Sequence, residues 1–172
     1  MDLDRFKNAQ DEESEGYQAA MREMQTASKQ SHWIWYIFPQ LEGLGASSTS
    51  RFYALADTDE AIAYLADRVL GPRLVEISET VAVRVRGGMS LNTLMSSATD
   101  AGKLVSCMTL FGGLAGKLNA DGNDESLKRL SRAAQEILAA GEREGIPACR
   151  FTMARLGVQR EPALHTPNTL VS

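Results

Sequence analysis

The chain has 172 residues, 44% of them hydrophobic and 23% charged, with a formal net charge of −4. This suits one globular domain with a substantial core and is short for two. Lysines and arginines are scattered rather than striped, which argues against a nucleic-acid-binding surface, and no apolar run approaches the ~20 residues of a membrane helix.

The start, "MDLDRFKNAQDEESEGY", is acidic and polar, unlike a secretory signal with its basic then apolar order. Over 14–28, Tyr17, Ala20, Met21 and Met24 recur at spacings of three and four, which predicts an amphipathic helix. Next comes "KQSHWIWYIFPQLEGLGASS" (29–48), with both tryptophans of the chain. The run Trp33 to Phe38 predicts a buried helix, ended at Phe38 because Pro39 disfavours helical dihedrals before it. A Gly/Ser-rich loop follows, in which Gly43 and Gly45 permit close backbone approach.

Asp57 with Glu60 three residues on resembles a capping box, and Ile62 and Leu65 follow at helical spacing. Pro72 suits a first helical turn; Leu74, Ile77, Val81 and Val85 form one face, and Gly87-Gly88 ends it. Within it "VAVRVR" also alternates as a strand would, but no turn signal separates it from the helical pattern. Residues 89–99 read as loop, with Asp100 as the natural N-cap of the next helix. There Leu104, Cys107, Met108 and Phe111 share a face, and Gly112, Gly113 and Gly116 predict a kink or end. Asn123 or Asp124 caps the last clear helix, whose stripe is Leu127, Leu130, Ala134 and Ile137 and whose stop is Gly145 with Pro147. The reading is a single compact all-α domain over 1–160, with a flexible C-terminal tail over 161–172.

Three clusters invite a chemical reading. An aromatic wall, Trp33 and Trp35, stands between polar Lys29, Ser31 and His32 on one side and Gln40, Ser47 and Ser50 on the other. That is a common composition for a small-molecule pocket. Asp100, Lys103 and Ser106 lie along one side of their helix, where a lysine and hydroxyls near an N-terminus can hold an anion. His32 is the candidate general acid or base, because imidazole titrates near neutrality. Each has a plainer explanation: core tryptophans, a hydrogen-bonded histidine, an N-cap beside a solvated lysine. Cys107 falls on an apolar face, where a cysteine is usually an inert hydrophobe; pairing it with His32 as a nucleophile needs proximity in the fold. Two unpaired cysteines fit a reduced cytoplasmic protein. No dinucleotide fingerprint, Walker lysine or HExxH occurs, and two distant histidines, His32 and His165, offer no metal site, so neither cofactor nor metal is expected.

The segments "DLDRFKNAQ" (2–10), "KQSHWIWYIFPQLEGLG" (29–45), "AYL" with "VLGPRL" (63–74), "DAGKLVSCMTLF" (100–111) and, more weakly, "FTMARLG" (151–157) resemble a bacterial family, the domain of unknown function 1810. The resemblance implies a compact all-α fold and brings no activity, substrate or catalytic residue. The sequence departs from the family's usual basic residue and serine at Val105 and Cys107, and lacks the acidic residue usual near Thr152. The motif is rich in polar residues that packing does not explain: Gln10, Lys29, His32, Gln40, Ser47, Asp100, Lys103 and Thr109. Two functions are therefore expected in competition. One is a pocket for a small anionic or nucleotide-like ligand, built from Lys29, Trp33, Trp35, Gln40, Ser47, Asp100, Lys103 and Ser106 with His32 for catalysis. The other is a helical protein-interaction module in which the motif is a structural polar network.

Overall fold

The computed structural model describes residues 2–157, so the expected tail and His165 lie outside the described residues. Within them are ten helices and no strand: α1 (Asp4–Gln10), α2 (Tyr17–Gln25), α3 (Ile34–Ile37), α4 (Ser48–Phe52), α5 (Thr58–Ala66), α6 (Leu70–Arg86), α7 (Leu91–Met95), α8 (Ala98–Leu118), α9 (Glu125–Arg143) and α10 (Arg150–Arg155). None is long and apolar enough to cross a membrane. The only β feature among them is an isolated parallel bridge between Leu41 and Leu55.

α8 is the centre. Every residue from Leu104 to Phe111 is buried, so this stretch is a core rod rather than an amphipathic helix. α9 packs most extensively against it, and α6 packs in turn on α9. On α6 the predicted stripe Leu74, Ile77, Val81 and Val85 is buried, and on α9 Leu130, Ala134 and Ile137 are buried while Leu127 is partly so. The "VAVRVR" stretch follows helical period, because Val81 and Val85 are buried while Val83 is 53% exposed.

Four expectations are corrected. The glycines do not end α8. A Cβ on Gly112 would come within 2.7 Å of Ala134, and one on Gly113 within 2.7 Å of Leu156, so both mark close approach by a neighbour. Nothing lies within 4 Å of a Cβ on Gly116. Gly116→Ala should therefore stabilise the protein by roughly 0.5–1 kcal/mol from helix propensity, while Gly112→Val should cost about 1–3 kcal/mol by overpacking, both readable from chemical denaturation. Residues 91–95 are helical rather than loop, since Ser90 caps Thr93 N and Leu91, Leu94 and Met95 turn into the core. Ser97, not Asp100, caps α8: its Oγ accepts Asp100 N–H at 3.1 Å, which leaves the Asp100 carboxylate at the third helical position free for other partners. The aromatic run 33–38 forms the expected helix as a single turn, α3, with Phe38 as its C-cap, whereas α5 turns Ala61 and Tyr64 rather than Ile62 and Leu65 fully inward.

Candidate functional site

Between α2 and α3 the chain makes a polar connection pinned by one carboxylate. Glu23 accepts Gln30 N–H at 2.8 Å, Ser31 N–H at 3.1 Å, the Ser31 hydroxyl in a short bond, and the Trp33 indole N–H at 2.8 Å. Burial alone would raise the Glu23 pKa, but these donors outweigh it and hold the carboxyl below its usual range. Lys29 N–H donates to Leu94 O at 3.1 Å, and Lys29 O accepts Ser96 Oγ–H at 2.6 Å. The connection is thereby tied to α7 and to the turn before α8.

The Lys29 side chain, only 7% exposed, points along α8. Its Nζ donates to Asp100 at 2.9 Å and Ser31 O at 2.5 Å and lies 4.9 Å from the Trp33 ring centroid. The other Asp100 oxygen takes Lys103 Nζ at 3.0 Å, and Lys103 Nζ sits 4.6 Å from the Trp35 ring. Trp33, Lys29, Asp100, Lys103 and Trp35 thus form one continuous ladder of cation–π and ionic contacts. Burial pushes the Asp100 carboxyl up, but the two lysines outweigh it and the group titrates below its ordinary range.

On the other side of Trp35 opens a cavity of about 640 Å³, within the usual range for small-molecule sites. Arg5, Asn8 and Ala9 of α1 line it, with Glu12, Ser14 and Glu15 of the following turn, His32, Trp35 and Tyr36, and Thr49, Phe52 and Tyr53 at α4. The aromatic wall is self-supporting: Tyr36 and Tyr53 centroids are 5.1 Å apart, Phe52 meets Tyr53 edge-on at 4.9 Å, and Tyr36 OH donates to Glu15 O at 2.9 Å. Phe52 is 59% exposed on the rim. Burial raises the Tyr36 and Tyr53 pKa values, so both rings remain neutral phenols. Arg5 is committed elsewhere, to Glu60 at 2.7 Å, Ala54 O at 3.0 Å and Asp2 O at 2.6 Å. No hydrogen bond or ion pair engages the Glu12 or Glu15 carboxylate, the Asn8 amide or His32 among the described residues.

Of the residues expected in a site, His32 and Trp35 line this cavity; Lys29, Trp33, Asp100 and Lys103 form the ladder behind it. The remainder lie apart. Gln40 O accepts Leu55 N–H at 2.9 Å beside the bridge, and Ser47 caps α4 at the surface. Ser106 is buried with its Oγ 3.5 Å from Thr152 Oγ1, beside Cys149 at the start of α10. Burial would raise the Cys149 thiol, but donors from Thr152, Ser106 and Phe151 N–H outweigh it and lower its pKa. Cys107 is fully buried and its thiol is pushed up, which makes it the core hydrophobe expected and not a nucleophile. Val105 is buried too, so the departures from the family pattern at Val105 and Cys107 do not line the cavity. Gln10 and Thr109 serve the core: the Gln10 amide bonds Tyr36 O at 2.8 Å and Tyr64 OH at 2.9 Å, and Thr109 Oγ1 bonds Val105 O and accepts Cys149 N–H. Sequence reasoning passed over Arg5, Asn8, Glu12, Glu15, Phe52 and Tyr53. The signal available was the spacing of Arg5 and Asn8, three apart and so on one side of α1.

No curated protein matches the chain. The crystal structure of the conserved hypothetical protein Rv1873 from Mycobacterium tuberculosis is similar, with 33% identity, a TM-score of 0.67, and coverage of 92% of this chain and 98% of that one. The family described as "Protein of unknown function (DUF1810)" matches residues 1–138. With its segments in order and its all-α fold shared, the chain belongs to the DUF1810 family.

Proposed function

We propose that this protein binds a small molecule carrying a planar ring in the cavity between α1, α3 and α4, with Trp35 as the stacking wall. The observation that carries this reading is a contrast in commitment. Around Lys29 and Gln10 the polar groups have partners within the fold, as a structural network requires. At the cavity the His32 imidazole, the Asn8 amide and the Glu12 and Glu15 carboxylates have none among the described residues and stand beside aromatic rings. A nucleotide-like ligand enters this reading through its ring. Where chemistry accompanies binding, His32 is the group at hand to give or take a proton. Two free thiols fit a reducing compartment such as the bacterial cytoplasm.

The competing reading, an interaction module, draws support from the exposed Phe52 on the rim. A fragment library screened by thermal melting separates them. A ring-bearing fragment at about 100 times its Kd should stabilise the wild type by roughly 2.7 kcal/mol. Trp35→Ala should abolish that gain, and His32→Ala should weaken binding about tenfold, the loss of one good polar contact. Stabilisation that survives in Trp35→Ala contradicts the proposed site.

A further inference from the structure

The geometry points to an organic cation as the ligand: an ammonium joined to an apolar or aromatic body, held in the aromatic cavity with its charge toward Glu12 and Glu15. This rests on the cavity being the binding site, and adds the ligand's charge.

The sequence alone favours an anion, because Lys29 and Lys103 flank the tryptophans. In the fold both lysines are already neutralised in part, Lys29 by Asp100 at 2.9 Å and Lys103 by the same carboxylate at 3.0 Å. Each also rests on a tryptophan face, at 4.9 and 4.6 Å. Lys29 is buried, and neither lysine lines the cavity. Among the described residues the one arginine or lysine that does, Arg5, is held by Glu60 at 2.7 Å and stacks on Phe6 at 4.4 Å. An incoming anion would therefore meet a guanidinium whose charge is already shared with Glu60 and whose one unpartnered N–H, at Nε, is buried.

An incoming cation meets two kinds of complement. The faces and edges of Trp35, Tyr36, Tyr53 and Phe52 supply apolar contact and the negative face of π systems, which attracts ammonium groups within about 6 Å. Glu12 and Glu15 supply formal negative charge at the same wall, with no partner among the described residues to give up. Burial keeps Tyr36 and Tyr53 protonated, so their rings act as neutral π faces whose hydroxyl ends add no charge. The volume, about 640 Å³, lies within the 300–1,000 Å³ usual for small-molecule sites. The commitment is therefore to a small organic amine.

Calorimetric titration of the full chain with three probes of one ring and different charge tests this: benzyltrimethylammonium, benzyl alcohol and benzoate. The cation should bind about tenfold more tightly than either of the others, the value of a partly desolvated cation–π and carboxylate contact. In the Glu12→Gln, Glu15→Gln double variant that preference should fall to about threefold or less, with benzyl alcohol binding unchanged. Equal binding of the three probes, or preference for benzoate, overturns the cationic ligand and leaves the cavity reading standing. Binding of none, together with a fragment screen that finds nothing dependent on Trp35, overturns both. A cation preference that persists in the double variant also overturns the assignment, since the charge would then be recognised elsewhere.

Discussion

Asp100→Asn should destabilise the protein by about 3 kcal/mol at neutral pH, the low end of what breaking a buried ion pair costs. For a chain of this size that lowers the melting temperature by roughly 6–12 °C. The reason is Lys29. With 7% of its surface exposed, it keeps only Ser31 O and the Trp33 face once the carboxylate is gone, and an amide cannot neutralise an ammonium. Lys103, more exposed at 18%, has water as a substitute, so Lys103→Gln should cost less than about 1 kcal/mol. Lys29→Met in the Asp100→Asn background should recover much of the loss, because it removes the stranded charge. The pH dependence has a defined sign. The Asp100 pKa is depressed in the fold, so its contribution is complete above the ordinary carboxylate pKa and fades as pH falls through the lower folded value. Wild type and Asp100→Asn should therefore converge in acid denaturation series below about pH 4.

Glu23→Ala should cost a similar amount, about 3 kcal/mol, through unpaired donors. Four donors converge on this carboxylate, and one is the indole of the fully buried Trp33. Removing the acceptor leaves that N–H without a partner in an apolar setting, while Gln30 and Ser31 can turn to water. Hydrogen exchange of the Trp33 indole should accelerate markedly in the variant. Because the same loop carries His32 into the cavity, ligand binding should weaken along with stability. Glu23, too, has a depressed pKa, so its support is present above the ordinary glutamate value and is lost as pH falls through the folded one.

The long helices were legible because their core faces repeat at 3.6 residues. Val83, exposed between buried Val81 and Val85, shows how one residue decides between helix and strand. Short elements were harder. α7 has five residues, too few for periodicity to rise above loop composition, and its cap, Ser90, looks like any loop serine. At 97–100 either Ser97 or Asp100 is a chemically sound cap; the fold uses Ser97, and Asp100 goes to the lysines instead. The motif around Lys29 and His32 was visible as a concentration of polar residues, but its division was not. Whether a polar side chain is spent on the fold or left facing space depends on partners far away in sequence, such as Asp100 for Lys29. The α1 side of the cavity was hidden for the same reason: Arg5, Asn8 and Glu12 belong to a stretch that reads only as acidic and polar until the fold brings α4 to the same cavity.

The two tryptophans make the central claim directly testable, since each gives one indole ¹⁵N–¹H resonance. A ring-bearing fragment that raises the melting temperature should shift the Trp35 resonance saturably and leave that of Trp33, bonded to Glu23 inside the scaffold, in place. A shift at Trp33 with Trp35 unmoved would contradict the separation of binding cavity from structural network.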